Sequence, residues 1–207
     1  KLRWNRAECT LKKIGIWSFG CFSYVVARQL KLKREEQQSM KVLRKNGEIV
    51  EVNFEEQEGK KAFWHTSAHV LAQAVKRLYP ETKCAIGSTI ENGFYYDFQF
   101  EFSFSEDHLK TIEAEMRKIV KESLSLQVYE KSKEEALSFM ENADEKYKVE
   151  LIQELNDTEQ ISFYKQGEYE EFCAGSHISN VCQIKAIKLL SVAGAYWRGD
   201  EKNQMLT

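Results

Sequence analysis

Two pairs of ligand-type residues, far apart in the chain, constrain its fold more than any other feature. His65 and His69 are spaced H-x-x-x-H, and Cys173 and His177 are spaced C-x-x-x-H roughly a hundred residues further on. Together they take three of the chain's four histidines. Histidine and cysteine are the side chains that bind zinc or move protons near neutral pH. A fold that serves both pairs has to bring the two segments together, so the pairs nominate one four-residue chemical centre.

The 207 residues suffice for one good core, or for one domain with an appendage. Five cysteines, odd in number and irregularly spaced, argue against a disulfide framework and for a reducing, cytoplasmic setting. The net charge of −2 is unevenly spread: residues 1–39 hold nine Lys/Arg against three Glu, giving +6, so the other 168 residues carry −8. That balance excludes a general polyanion binder; any nucleic-acid contact has to come from a local basic patch. Within residues 1–39 an apolar stretch, Ile14 to Ala27, follows basic residues as in a leader or anchor. It is too short to span a bilayer, interrupted by Ser18, Gly20 and Ser23, and followed by no small-x-small cleavage pattern, so no membrane partner is expected. Residues 1–39 are therefore expected to be an unassigned extension, with the domain beginning near Met40.

From Met40 the pattern is regular. Lys41–Arg44 and Glu48–Phe54 flank Asn46-Gly47, a hairpin signal. A helix is expected from Glu58 to Tyr79, stopped by Pro80, the only proline, with an apolar stripe of Trp64, Ala68, Leu71, Val75 and Leu78. Strands over Cys84–Glu91 and Phe94–Phe100 meet at Asn92-Gly93, and Phe94, Tyr96, Phe98 and Phe100 share one face. A helix capped by Ser105 buries Leu109, Ile112, Met116, Ile119 and Val120. Then come a strand near Leu126–Glu130, a Ser132-x-x-Glu135 capping box opening a short helix, and a helical turn over Glu145–Leu155. Strands near Gln160–Lys165 and Ile184–Trp197 flank the Cys173 segment. Interspersed elements with antiparallel hairpins predict an α+β fold, an antiparallel sheet with packed helices.

Four residues apart on a helix, His65 and His69 lie on one face, expected at the edge of the core beside a cleft. Alone, the spacing carries little. A zinc protease of the H-E-x-x-H type is excluded, because Thr66 stands where its Glu base would be. Cys173-Ala174-Gly175-Ser176-His177 reads as a tight loop able to aim Cys and His at one point. Three imidazoles and a thiol make a tetrahedral zinc set, or, without metal, a group that orients water and moves its proton. His108 is expected to be solvated, Cys84 and Cys182 to be packing residues, and Lys185, Lys188, Arg198 and Lys202 to form a solvated face.

Several segments also resemble a family. Phe63 to Ala74 is similar to the H-x-x-x-H helix of bacterial threonyl-tRNA synthetases. So are Ala85-Ile86-Gly87 with Glu91-Asn92-Gly93-Phe94-Tyr95-Tyr96-Asp97-Phe98, Tyr147 to Ile152, and Gly194-Ala195-Tyr196-Trp197-Arg198-Gly199-Asp200. The resemblance covers about residues 45–207, in the family's order. It falls on the editing domain shared with alanyl-tRNA editing proteins, which implies an editing domain over 58–207 with the aminoacylation core absent. Residues 40–57 would be a remnant of a ubiquitin-like domain or a linker. Two positions depart from the family's pattern: Ser176 replaces a proline, and Glu171 replaces the aspartate two residues before the cysteine.

The resemblance implies a deacylase that hydrolyses seryl-tRNA(Thr), as part of a threonine--tRNA ligase, with no ligase activity or ATP binding in this region itself. A synthetic site built for threonine gains only about 1–3 kcal/mol against serine from one methyl, so a second, hydrolytic site supplies the accuracy. It implies catalytic roles for His65, His69, Lys148, Cys173 and His177. Glu171, Tyr96 and Arg198 would contact substrate or tRNA. Zinc on His65, His69, Cys173 and His177 stays open, because the family includes both metal-bound and metal-free forms. The implied partners are the acceptor end of tRNA(Thr) and a second copy in a homodimer. The rival is a non-catalytic tRNA-binding or interaction module.

Overall fold

The computed structural model describes residues 39–157 and 160–207, and the expectation for Ile14–Ala27 lies outside the described residues. Ser39–Thr207 form one compact unit of mixed α+β architecture. Its centre is helix α1, Gln57–Leu78. The hairpin β1 (Ser39–Leu43) and β2 (Ile49–Asn53) turns at Gly47, whose φ of 83° is the left-handed conformation glycine tolerates best. A second antiparallel hairpin, β3 (Lys83–Ile90) and β4 (Gly93–Gln99), carries a register shift between Cys84 and Gly87. Helix α2 (Glu106–Lys121) follows the Ser105 cap, and β5 (Leu126–Lys131) leads into α3 (Lys133–Asn142) through the predicted Ser132/Glu135 capping box. Helix α4 is Lys146–Gln153. Strands β6 (Ile161–Gln166) and β7 (Tyr169–Phe172) complete an antiparallel sheet in the order β5-β6-β7.

Two features of this architecture position the site. The two-residue strand β8, His177–Ile178, pairs antiparallel with β1, setting Leu43 opposite His177 and Val42 opposite Ile178. Val42 and Ile178 are fully buried in the main core, so the β1–β2 hairpin, in residues expected to be a domain remnant or a linker, packs within the same unit. Helix α1 is buried on every side from Thr66 to Val75, rather than along one stripe; Trp64 and Leu78 are only half-buried. One of its buried polar residues is paired across the core: Gln73 Nε2 donates to the Gln166 carbonyl at 3.2 Å, and Gln166 Nε2 returns a bond to Gln73 Oε1 at 2.6 Å.

Several expectations are corrected. Residues 184–194 form no strand; only Ala195–Tyr196 (β9) pairs, with Met205–Leu206 (β10). Ile187 and Leu189 rest on the core while Leu190 is 87% exposed, so this apolar run lies against the fold without pairing as a strand. Strand β7 was unforeseen. His108 is a cap rather than a solvated side chain: Nδ1 lies 3.1 Å from the Ser105 backbone nitrogen, and the ring packs beside Phe102 and Phe104. Cys84 is buried as expected, but Cys182 is exposed. On α2, Ile112, Met116 and Ile119 are buried, whereas Leu109 and Val120 are half-buried.

Candidate functional site

The four paired residues converge. One ligand atom from each of His65, His69, Cys173 and His177 lies within 4.8 Å of the others. Helix α1 supplies both histidines, one turn apart. Cys173 follows β7, and His177 opens β8, so two adjoining sheets deliver the C-terminal pair. Ser162 on β6 grips Cys173 from both sides: the Cys173 N–H donates to the Ser162 carbonyl at 2.9 Å, and the Ser162 hydroxyl donates to the Cys173 carbonyl at 2.6 Å. Cys173 Sγ lies 3.1 Å from His65 Nε2 and 3.3 Å from His177 Nε2. The His65 and His177 rings stack at 4.4 Å, and His177 also meets the His69 and Tyr164 rings at 4.3 and 4.2 Å.

The site is deeper than its helical spacing suggests. His177 is fully buried and His69 is 3% exposed; neither sits at the edge of the core. His65 alone of the four reaches the surface, where it lines a cleft of about 420 Å³ with Gly87, Ser88, Thr89, Gly175 and Ser176. Gly175 makes this approach possible: a Cβ there would stand 2.4 Å from His65 Nδ1. A larger aromatic groove of about 910 Å³ runs past Phe94, Phe98 and Phe100 under residues 186–195, and it includes none of the four ligand-type residues.

Behind the histidines lies a buried ionic network. Glu171, 4% exposed, is held by Lys148 Nζ, by Tyr96 Oη at 2.5 Å and by Tyr169 Oη at 2.8 Å. Burial alone would push the Glu171 carboxyl up; the Lys148 ammonium and the two phenols outweigh it and hold the carboxyl below the ordinary range. Burial, with the Glu171 charge second, raises Tyr96 and Tyr169 well above a normal phenol, so both remain donors. Both carboxylate oxygens of Glu171 thus accept hydrogen bonds. Lys148 is 5% exposed, so it faces the network rather than the cleft. Arg198 is not brought to the cluster: its partners are Glu154 and Glu150 on α4 and just beyond it, and its guanidinium lies over Trp197. Lys188 pairs with Glu113 at 3.3 Å.

These surroundings settle the protonation of the cluster. Burial lowers His65, and the Glu171 charge only partly opposes it; burial followed by the neighbouring imidazoles lowers His177 further, and burial with His65 lowers His69. Burial thus favours the neutral form of all three rings. His69 Nε2 stands 3.5 Å from a Glu171 oxygen, a contact of a neutral ring with a carboxylate rather than an ion pair. Burial pushes the Cys173 thiol up to about 12, with the Gly175 N–H partly opposing it, so the sulfur keeps its proton. The set can therefore accept a proton at His65, and it offers a weak nucleophile at Cys173.

The donors also suit a metal ion. Three imidazoles and one thiol are a zinc-type set, and their ligand atoms all lie within 4.8 Å of one another. His69 Nδ1 is buried with no hydrogen-bond partner among the described residues, as a lone pair reserved for an ion or a water would be.

Sequence reasoning missed Thr66, Ser162 and Tyr169. Tyr169 lies two residues before Glu171, but its place on the same face depends on strand β7, which the sequence did not reveal. Ser162 had no signal, because its partner is defined only by the β6–β7 register.

Residues 161–207 match the family model described as the threonyl and alanyl tRNA synthetase second additional domain. That stretch holds Glu171, Cys173 and His177; His65 and His69 lie before it. The chain is 57% identical over 164 residues to a threonine--tRNA ligase of Caldanaerobacter subterraneus subsp. tengcongensis, covering 79% of this chain and 26% of that protein. It is 54% identical over 176 residues to the threonine--tRNA ligase of Clostridium novyi, covering 85% and 28%. It is 53% identical over 183 residues to that of Clostridium tetani, covering 88% and 29%. The chain thus spans little more than a quarter of the length of these curated relatives.

Proposed function

We propose that this chain, which over the residues shared with its relatives belongs to the threonyl-tRNA synthetase family, is an editing module that hydrolyses the ester of seryl-tRNA(Thr). The observation that carries the reading is the convergence of His65, His69, Cys173 and His177 beneath a cleft that His65 alone opens onto. The α+β unit is then read as an editing domain, with the acceptor end of tRNA(Thr) as its partner. Homodimer assembly and a cytoplasmic setting belong to the same proposal. Among the described residues no helix is long and apolar enough to cross a membrane.

Ester hydrolysis needs an oriented water, a proton acceptor and compensation for the charge developing on the carbonyl oxygen. His65 is neutral and faces the cleft, so it is the group that takes the water's proton. The Ser88, Thr89 and Ser176 hydroxyls in the same wall are suited to the seryl amine and hydroxyl. Lys148 acts from behind, through Glu171, rather than by touching substrate. Cys173, protonated, shapes the pocket floor, and direct water attack is favoured over a thioester. His65, His69, Cys173 and His177 would hold zinc, which when bound would fix the four side chains in place. A site closed by four protein ligands is of the structural kind, and it would occupy the lone pair His65 needs as a base.

Purified protein is therefore expected to deacylate seryl-tRNA(Thr) and to continue doing so in EDTA, with threonyl-tRNA(Thr) a poor substrate. Binding of tRNA without hydrolysis of the seryl ester would favour the interaction-module reading. Gly175→Ala should slow hydrolysis by about 100-fold, because the new methyl drives the His65 ring from its place and displacements near 1 Å cost that much. An unchanged rate in that variant would remove His65 from the reacting position.

A further inference from the structure

We infer that Thr66 fixes the tautomer of His177, accepting a hydrogen bond from Nδ1–H so that the Nε2 lone pair faces Cys173. A threonine hydroxyl has one proton to give and two lone pairs to receive. Thr66 Oγ1 stands 2.8 Å from the Ala62 carbonyl one helical turn back, and a carbonyl can only accept. The hydroxyl proton is therefore committed there. Oγ1 then accepts the Ile178 backbone N–H at 3.0 Å, leaving one lone pair for the remaining neighbour, His177 Nδ1 at 3.2 Å. A nitrogen meeting an oxygen with only a lone pair left must bring the proton itself. With the ring's proton on Nδ1, the lone pair lies on Nε2, 3.3 Å from Cys173 Sγ.

Thr66 is thus a positioning residue acting through two neighbours. It holds the ring by Nδ1 and the β8 backbone by the next residue's amide, all from one atom fully buried in the α1 core. The thiol proton of Cys173 has an acceptor on His177, which leaves the His65 nitrogen 3.1 Å from the sulfur without a required partner there. The same proton placement would prepare Nε2 as a metal ligand, since a ligating imidazole ordinarily donates its other N–H to a fixed acceptor.

The test is a long-range proton–nitrogen correlation spectrum of the histidine-labelled 207-residue protein in EDTA. His177 should appear as the Nδ1–H tautomer in the wild type and in Thr66→Ser, which keeps the hydroxyl. It should lose that preference in Thr66→Val, which keeps the shape. An Nε2–H tautomer in the wild type, or an unchanged His177 pattern in Thr66→Val, would overturn the assignment; if the valine variant fails to fold, the wild-type and serine spectra still decide it. A second readout rests on the editing reading: kcat for seryl-tRNA(Thr) should fall about 10- to 100-fold in Thr66→Val with KM little changed, and recover in Thr66→Ser. A KM rise with constant kcat would assign Thr66 a binding role and overturn its part in hydrolysis. A wild-type protein without hydrolysis sinks the editing reading alone, because the spectra report the tautomer without it.

Discussion

Alanine in place of His65 should lower seryl-tRNA(Thr) hydrolysis by about 100- to 10,000-fold, the range general acid–base help commonly supplies. The effect should be nearly all catalytic. His65 is the member of the cluster that opens onto the cleft, so its removal leaves a gap that solvent can fill. His69 and His177 are different, since truncating either one hollows the core and costs stability as well as rate. The measurement is a single-turnover deacylation rate beside a thermal melt. A well-folded His65→Ala protein that hydrolyses at the wild-type rate would move the proton acceptor elsewhere.

Lys148→Met should destabilise the protein by about 3–5 kcal/mol at neutral pH. It keeps the apolar stem but strands the Glu171 carboxylate in the interior, and breaking a buried pair by removing one partner costs that much. The pH dependence has a definite sign. With Lys148 present, the folded carboxyl titrates below its unfolded value near about 4.3. The pair's stabilisation is therefore complete above that value and is lost as pH falls through the folded one. In the variant, burial acts unopposed and raises the same carboxyl, so acid relieves the strain instead. The gap between wild type and Lys148→Met in urea midpoint should be wide at pH 7 and narrow towards pH 4. Equal midpoints at pH 7 would mean that the Lys148–Glu171 contact contributes nothing.

What the sequence made legible was local. Asn46-Gly47, Asn92-Gly93, Pro80 and the Ser132/Glu135 box act on their own neighbours, and each marks a boundary the structure keeps within a residue or two. The convergence of the two ligand pairs was also legible, because reactive side chains at paired spacings have few structural uses. What failed was long-range. A helix buried on every side looks amphipathic in sequence when its polar positions find partners inside: Gln73 with Gln166, Thr66 with His177. Strand β7, Tyr-Glu-Glu-Phe, hides behind its charges, since nothing local reveals that Glu171 meets a lysine 23 residues earlier. The run 184–194 errs the other way, apolar and β-branched enough for a strand but not paired as one.

The pairing of β1 with β8 couples the beginning of the described fold to its reactive end. His177 is held in line by a strand that precedes it by more than a hundred positions, so the hairpin and the imidazole form one inheritable part. An excised domain, a graft onto another scaffold or a recombination breakpoint set at Gln57 would carry away the rail on which His177 rides. A piece that keeps the strand paired with His177 includes β1, Ser39–Leu43.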